Sequence, residues 1–248
     1  MIRGRYVDSH AHLYEYSEED LSKYCNNEDL TIVSVSEDLT SSLKNLKIGE
    51  SCSNVYVAVG IHPWRVNAVS REDLSKVLDM STWVSLIGEV GLDRRFTPET
   101  YELQLKVFKE FIDIALKYDK ALLLHAAGAW REVYNLIYRS GVSTAVFHWY
   151  TGPQDLLKEI VSSGYYIGVN VALLRQNKMR EVVKAAPLES MLTESDGPYE
   201  YRGLALHPHM IKDLIAEVAI IKGVHQEDVV DAVKRNFEEF LKRVKAFR

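Results

Sequence analysis

The stretch VDSHAHL, residues 7–13, places two histidines one residue apart at the end of a short apolar run. A run of this length is typical of a buried strand, and alternate residues of a strand point to the same face of the sheet. His10 and His12 are therefore expected to point to one side. The pattern predicts a first strand whose carboxyl end carries two imidazoles toward a shared site.

Seven further runs of apolar and β-branched residues follow, separated by longer amphipathic stretches. The predicted strands cover residues 5–11, 31–36, 55–61, 83–90, 121–126, 144–149, 165–170 and 191–195. The predicted helices include residues 99–118, 130–139 and 153–163, and two more close the chain at 208–222 and 226–246. Eight repeats of strand and helix predict an α/β fold, a single (β/α)8 TIM barrel over residues 1–248. An open, doubly wound sheet is the alternative that the strand count disfavours.

Composition restricts the classes of function. The chain has 248 residues, 47% of them hydrophobic, and a formal net charge of −5, which indicates a folded protein without a broad cationic surface. Metal ions and a local patch can still hold a few phosphates. Cys25 and Cys52 lack metal-site spacing, so free thiols in a reducing compartment are expected. With no signal-peptide core and no membrane-length apolar run, we expect a cytoplasmic protein that has no membrane association and no obligate protein partner.

Histidines and carboxylates lie at one end of the predicted strands. They are His10 and His12 on strand 1, His62 after strand 3, Glu89 on strand 4, His125 on strand 5, His148 on strand 6 and Asp196 after strand 8. In a parallel barrel these ends converge at the mouth that carries active sites. The sequence therefore predicts a metal site at the C-terminal mouth of the strands.

The residue types at this mouth suit a pair of metal ions. Imidazole and carboxylate together bind Zn, Mn, Fe or Co. Glu89 can bridge two ions, His125 and His148 can complete a second site, and Asp196 can ligate the first ion and take a proton from water. Two cations about 3.5–4 Å apart can generate hydroxide and stabilise a developing oxyanion or phosphorane. Taken singly, a histidine on an apolar strand is more often a core residue.

Two aspartates near these motifs have a simpler interpretation. Asp8 and Asp93, each considered alone, are expected to be turn or helix-cap residues, because the short carboxylate accepts hydrogen bonds from nearby backbone N–H groups.

Several segments carry a family resemblance in a fixed order. They are DSHAHL (8–13), AVGIHPW (58–64), IGEVGLD (87–93), LLLHA (122–126), VFHWYTG (146–152), TESDGPY (193–199) and RNFEEFL (235–241). With these motifs the chain resembles the TatD-type metal-dependent hydrolases of the amidohydrolase-like superfamily. The motifs extend over most of the chain.

The resemblance implies a two-metal centre and a nucleic-acid substrate. The first ion would be held by His10, His12, Glu89 and Asp196, and the second by Glu89, His125 and His148. The ions would be Zn, Mg, Mn or similar divalent metals, and Glu89 and Asp196 would be the catalytic residues. Members of the family are metal-dependent nucleases acting on DNA, several with 3′-to-5′ exonuclease activity, so DNA is the implied substrate.

Some positions depart from the family pattern. An arginine commonly follows the strand-5 histidine, whereas this chain has Ala126 and Ala127, which removes a forked contact to phosphate. Arg94 and Arg95 after strand 4 either replace that contact or belong to a solvated loop.

The segment GIHPW after strand 3 also lies at the predicted mouth. His62 is predicted to bind substrate, and Trp64 is expected to pack beneath a loop stiffened by proline rather than to stack on a base.

The leading hypothesis is a deoxyribonuclease that cleaves phosphodiester bonds with water activated by two metal ions. The alternative is that the same metal site hydrolyses a different bond, in a small phosphoester, an amide or a lactone, because one fold serves many chemistries. A third hypothesis is a barrel without enzymatic activity whose metals support a binding surface.

Overall fold

All eight predicted strands are present in the part of the chain that the computed structural model describes, residue 2 and residues 4–244. They are β1 (Tyr6–Ala11), β2 (Leu30–Ser34), β3 (Val55–Val59), β4 (Leu86–Gly91), β5 (Ala121–His125), β6 (Ala145–Phe147), β7 (Tyr166–Asn170) and β8 (Met191–Glu194). Their residues are almost entirely buried, as the apolar, β-branched runs predict.

Helices alternate with these strands. They are α1 (Glu18–Cys25), α2 (Leu39–Ser51), α3 (Arg71–Ser81), α4 (Tyr101–Tyr118), α5 (Trp130–Ser140), α6 (Gln154–Ser162), α7 (Asn177–Ala185), α8 (Ile211–Lys222) and α9 (Gln226–Lys242). The last predicted helix extends to residue 246, and residues 245 and 246 lie outside the described residues. Within the described ranges, no helix has both the length and the apolar character that crossing a membrane requires.

Local signals set several helix ends. Ser17 and Ser70 begin α1 and α3, and each side-chain oxygen accepts a hydrogen bond from the backbone N–H three residues on, at 3.2 and 3.0 Å. Gly141 and Gly223 end α5 and α8 in the left-handed conformation that glycine adopts without steric cost. These caps fix where the chain leaves each helix for the next strand.

The strands pair in the order of the chain. In the described residues the sheet runs β1-β2-β3-β4-β5-β6-β7-β8, and the paired strands are parallel. The last strand also contacts the first, because β8 packs against β1. Sequential order with the first and last strands adjacent is the topology of a (β/α)8 barrel, whereas a doubly wound sheet reverses its strand order. The predicted fold class is confirmed.

The chain divides into two compact units. The first comprises residue 2 and residues 4–34 together with Ile48–Tyr56 and His148–Glu239. It contains β1, β2, β7 and β8, and its core includes the fully buried side chains of Val7 and Leu192. The second comprises Val35–Lys47, Val57–Phe147 and residues 240–244. It contains β4, β5 and β6, with α4 packed on β4. That the whole chain is one domain stays a prediction.

The two cysteines form a disulfide, so the expectation of free thiols is wrong. Cys25 ends α1 and Cys52 follows α2, with their Cα atoms 4.9 Å apart. Asn54 explains the approach, because its side-chain amide donates to the carbonyls of Tyr24 and Leu30 at 2.9 and 2.8 Å. These bonds hold the segment before β3 against the end of α1. The expectation of a reducing compartment rested on free thiols, so the disulfide removes its support.

A short hairpin after β8 was not predicted. Its strands, β9 (Glu200–Tyr201) and β10 (Leu204–Ala205), pair antiparallel. The two residues between them, Arg202 and Gly203, have φ values of 49° and 74°, as in the tight turns that suit hairpin twist. Arginine is an uncommon first residue for such a turn, so the sequence carried little signal.

Candidate metal centre

The first unit gathers three imidazoles around one carboxylate. His10 and His12, at the end of β1, place their Nε2 atoms 3.4 and 3.2 Å from Oδ1 of Asp196. Nε2 of His148, which follows β6, lies 3.7 Å from the same oxygen. All four residues are less than 9% exposed. The structure therefore brings these four predicted ligands together in a buried group.

His10 and His148 are also stacked on each other. Their ring centroids are 3.7 Å apart and the planes differ by 17°. Two parallel imidazoles with nitrogens facing one carboxylate form a compact set of donors. The family resemblance assigned His148 to the second ion, whereas it lies here with His10, His12 and Asp196. Which ion each residue holds stays a prediction.

Glu194 belongs to the same group and was missed. It is the last residue of β8 and is 1% exposed. Its Oε1 lies 2.9 Å from Nδ1 of His148 and accepts the backbone N–H of Trp149 at 2.7 Å. Donor atoms of Glu194, His148 and His10 lie within 4.8 Å of one another. The spacing of Glu194 and Asp196, like that of His10 and His12, was the available signal.

Asp8 and Ser195 tie β1 to the segment that follows β8. Ser195 donates its backbone N–H to Oδ1 of Asp8 at 2.8 Å and its hydroxyl to Oδ2 at 2.5 Å. Asp8 is a fully buried strand residue, so the expectation of a turn or cap is wrong for it. Burial raises the pKa of the Asp8 carboxyl to about 7, against the hydrogen bonds from Ser195 that lower it. The contact holds His10 and Asp196 next to each other.

The second unit has its own cluster around His125, the last residue of β5. Nδ1 of His125 lies 2.8 Å from Oε1 of Glu89, a residue of β4. His62 adds its Nε2 at 3.1 Å from the same imidazole nitrogen and 3.4 Å from Glu89. Donor atoms of the three residues lie within 4.8 Å of one another. His62 is 3% exposed, so the structure places it among candidate ligands, and its contact with substrate stays a prediction.

Asp93 holds the far side of the His125 ring. Its Oδ2 lies 2.8 Å from Nε2 of His125, and its Oδ1 accepts the backbone N–H groups of Arg95 and Phe96, each at 2.7 Å. The turn interpretation of Asp93 is thus confirmed, with a contact to an imidazole added. The indole N–H of Trp64 donates to Oδ2 of Asp93 at 2.6 Å. Trp64 is 40% exposed rather than packed beneath a loop.

Charges within the clusters shift the titration of their members. Burial lowers the pKa of His125, but the hydrogen bonds with Asp93 and Glu89 raise it more, to about 9. Burial raises the pKa of Asp93, but the hydrogen bond from His125 and the backbone lower it to about 2. Burial raises the pKa of Asp196, but the nearby imidazoles, His148 foremost, lower it below its ordinary value. Asp93 and Asp196 are therefore carboxylates near neutral pH.

Arg94, the first arginine of the loop after β4, is held by contacts with neighbouring side chains. Arg94 forms an ion pair with Glu132 at 2.9 Å, and its guanidinium lies 4.1 Å from the ring centre of Tyr101. These contacts favour the solvated-loop interpretation of Arg94 over a phosphate contact.

The donor set of both clusters fits divalent metal ions. Each combines buried imidazole nitrogens with carboxylate oxygens, the ligands that zinc, manganese, iron and cobalt share. A carboxylate behind a ligating imidazole, as Asp93 lies behind His125, fixes the ring orientation in metal sites. Each unit thus contains residues able to hold an ion.

Comparison with known proteins agrees with this chemistry. The family model described as TatD related DNase matches residues 7–242. An uncharacterized metal-dependent hydrolase of Methanocaldococcus jannaschii is 30% identical, covering 96% of this chain and 98% of the relative. The uncharacterized metal-dependent hydrolase YcfH of Escherichia coli is 28% identical, covering 93% of each.

Solved structures share the fold. The TatD homologue YjjV of Escherichia coli superposes with a TM-score of 0.86 at 22% identity, covering 96% of this chain and 98% of its own. A TatD family hydrolase of Entamoeba histolytica gives a TM-score of 0.82 at 22% identity, covering 97% and 99%. The match of the family model over nearly the whole chain decides the assignment. The chain belongs to the TatD-related family of metal-dependent hydrolases.

Proposed function

We propose that the chain is a deoxyribonuclease that hydrolyses phosphodiester bonds with two divalent metal ions. The observation that carries the proposal is the pair of clusters at the carboxyl ends of strands, each combining imidazoles with a carboxylate. The family description, TatD related DNase, supports DNA as the substrate. The number of ions rests on one group from each unit, His10, His148 and Glu194 from the first and His62, Glu89 and His125 from the second.

The donors suit the chemistry of phosphodiester hydrolysis. Divalent ions bound there would lower the pKa of a water and neutralise the oxygens of a phosphate. His10, His12, His148, Glu194 and Asp196 would hold an ion in the first unit, and His62, Glu89 and His125 would hold one in the second.

Asp196 is the candidate acceptor of the water proton. Its pKa lies below the ordinary value, so it is ionised at neutral pH and can orient a water or take its proton. Its own backbone N–H donates to the carbonyl of His10 at 2.8 Å, which fixes the carboxylate beside the ligating imidazoles. Glu89 is the predicted catalytic partner in the second unit.

Metal content tests the two clusters. Elemental analysis of the purified chain should find about two equivalents of divalent metal. Glu194→Gln, in the first unit, and His125→Ala, in the second, should each lose about one equivalent, and Glu89→Ala should also bind fewer ions. His225→Ala, a change at an exposed histidine, is the matched control and should keep both. A wild-type chain that binds no metal after reconstitution would contradict the proposal.

Cleavage tests the substrate. Single- and double-stranded oligonucleotides labelled at either end are incubated with the chain in Zn²⁺, Mn²⁺ or Mg²⁺. We expect wild type and His225→Ala to degrade DNA and His10→Ala to be inactive. If the metal-loaded wild type leaves both substrates intact in all three metals, the chain is not a deoxyribonuclease.

A specific observation favours a second candidate, hydrolysis of a small phosphoester, amide or lactone. His125 is followed by Ala126 and Ala127, so that segment offers no guanidinium for a nucleic-acid phosphate. The net charge of −5 points the same way. Nitrophenyl phosphoesters, nitrophenyl esters and cyclic amides form the panel, and turnover of one of them without DNA cleavage would select this candidate.

A further inference from the structure

Three aromatic side chains form a wall beside the candidate ligands of the first unit. We define the aromatic wall as Trp149, Tyr199 and Tyr201. The ring centroid of Trp149 lies 6.1 Å from that of Tyr199 and 5.2 Å from that of Tyr201. The planes meet at 81° and 68°, so Trp149 is not stacked in parallel on either tyrosine. A flat ligand entering there can still stack on a ring of the wall.

The wall is held in place by hydrogen bonds. The indole N–H of Trp149 donates to Oε1 of Gln176 at 2.9 Å, and the amide of Gln176 donates to the hydroxyl of Tyr201 at 3.1 Å. One glutamine therefore links two of the three rings. Because the indole N–H of Trp149 and the hydroxyl of Tyr201 are paired, these two rings offer a ligand apolar surface. Tyr199, the third ring, is 47% exposed.

The wall is joined directly to the candidate metal ligands. Trp149 follows His148 in the chain, and their ring centroids are 6.0 Å apart. The backbone N–H of Trp149 donates to Glu194, and that of Tyr199 donates to the carbonyl of Asp196 at 3.0 Å. A group bound at these ligands and a ring on the wall can thus belong to one small molecule.

The backbone shows that this arrangement is imposed by its surroundings. Trp149 and Asp196 have φ values of 45° and 60°, in the left-handed region that residues other than glycine rarely adopt. Such conformations persist where neighbouring contacts determine them, and they concentrate at functional sites. Here both residues carry side chains of the same site, the wall and the ligand cluster.

We infer that the aromatic wall is a subsite that stacks a nucleobase while its phosphate lies at the ligand cluster of the first unit. Aromatic side chains bind bases through their π-faces with little dependence on sequence. A nucleotide joins a phosphate and a flat base over one sugar, which matches a charged cluster with a wall next to it. The inference rests on the proposed function and specifies the part of the substrate that this side of the site recognises.

The test compares a nucleotide with the sugar phosphate that carries a hydroxyl in place of the base. Binding of 2′-deoxyadenosine 5′-phosphate and of 2-deoxyribose 5-phosphate to the full chain is measured by calorimetry with Mn²⁺ present. Wild type should bind the nucleotide about 5- to 150-fold more tightly, the range that one stacked base provides. Equal affinities, or no binding of the nucleotide, would overturn the inference.

Variants assign the preference to the wall. Trp149→Ala and Tyr199→Ala should each reduce the preference for the nucleotide and leave the affinity for deoxyribose phosphate unchanged, and Trp149→Phe should keep most of it. The matched control is Trp83→Ala, a change at a tryptophan that is 68% exposed and follows α3. A preference that survives both alanine variants would overturn the inference even if the wild type shows it.

The result is separable from that of the nuclease assay. Preferential binding of the nucleotide without DNA cleavage would support the wall and reject the deoxyribonuclease. DNA cleavage with equal binding of the two ligands would support the deoxyribonuclease and reject the aromatic wall as a base-binding subsite.

Discussion

The side chain of Asp93 stabilises a turn and at the same time orients His125, a candidate metal ligand. Its Oδ1 accepts two backbone N–H groups, and its Oδ2 lies against His125 and the Trp64 indole. The turn fixes the carboxylate, and the carboxylate fixes the imidazole. The side of His125 that meets Glu89 is thereby set by a residue that does not itself belong to the ligand group.

Asp93→Asn separates these two roles. The amide oxygen can still accept the backbone N–H groups, but an NH₂ in place of Oδ2 cannot accept a hydrogen bond from Nε2 of His125 or from the Trp64 indole. We expect metal affinity to fall about 10- to 100-fold, as for other residues behind a ligating imidazole. Competition with a chromogenic chelator measures the change.

Asp113→Asn, at an exposed position on α4, is the matched control and should bind metal like wild type. Unchanged affinity in Asp93→Asn would show that the contact does not orient His125.

At the scale of elements, β7 leaves room for the side chain that β8 contributes. A Cβ added at Gly168 of β7 would lie 2.0 Å from Oε2 of Glu194, so only glycine accommodates that carboxylate. The register places Gly168 opposite Leu192, two residues before Glu194. The absence of a side chain on one strand thus positions a candidate ligand on the next.

Gly168→Ala should displace the carboxylate of Glu194 at little cost in stability, because the end of a flexible side chain can move. We expect loss of about one metal equivalent and a change in Tm of less than about 4 °C. Elemental analysis and thermal unfolding measure the two effects.

Gly91→Ala provides the contrast. Gly91 has a φ of 144°, and an added Cβ would lie 2.0 Å from the carbonyl oxygen of His125, which is backbone. This variant should lose stability as well as metal. Full metal content in Gly168→Ala would contradict the proposed position of Glu194.

The disulfide joins α1 to the segment before β3 across 27 residues. Closing a loop of that length stabilises the folded chain by about 3–4 kcal/mol in the chain-entropy account. Cys25→Ser should therefore lower Tm by on the order of 10 °C under non-reducing conditions. Adding reductant to wild type should give the same decrease, and leave Cys25→Ser unchanged. Two free thiols in the denatured, unreduced wild type would show that the bond does not form.

For the whole molecule, net charge limits how DNA is held. With a net charge of −5 and a pI of about 5.9, the chain should contact few phosphates outside the metal clusters. The logarithm of DNA affinity should fall against the logarithm of salt with a slope no steeper than about −3. Fluorescence anisotropy of a labelled phosphorothioate strand, at a constant metal concentration and from about 50 to 200 mM salt, measures this slope. A slope near −6 would reveal an extended cationic surface instead.

The fold was predictable because its signals are local. Each strand is a short apolar run, the longer helices between strands have an apolar face, and α1 and α3 also begin at a capping serine, Ser17 and Ser70. The hairpin β9-β10 was missed because two-residue strands have no periodicity to detect. The disulfide was missed because an amide network centred on Asn54 brings the two cysteines together, and spacing along the chain carries no record of it.

The sequence by itself determined the strands, their order of appearance and the residues that end them, because periodicity and the alternation of side chains are properties of neighbouring positions. It also supplied the imidazoles and carboxylates that suit metal ions. The tertiary structure alone decided that His148 stacks on His10, that Glu194 joins them and that Asp93 lies behind His125. Those contacts join residues from different strands and loops, and only the packing of the strands fixes such distances.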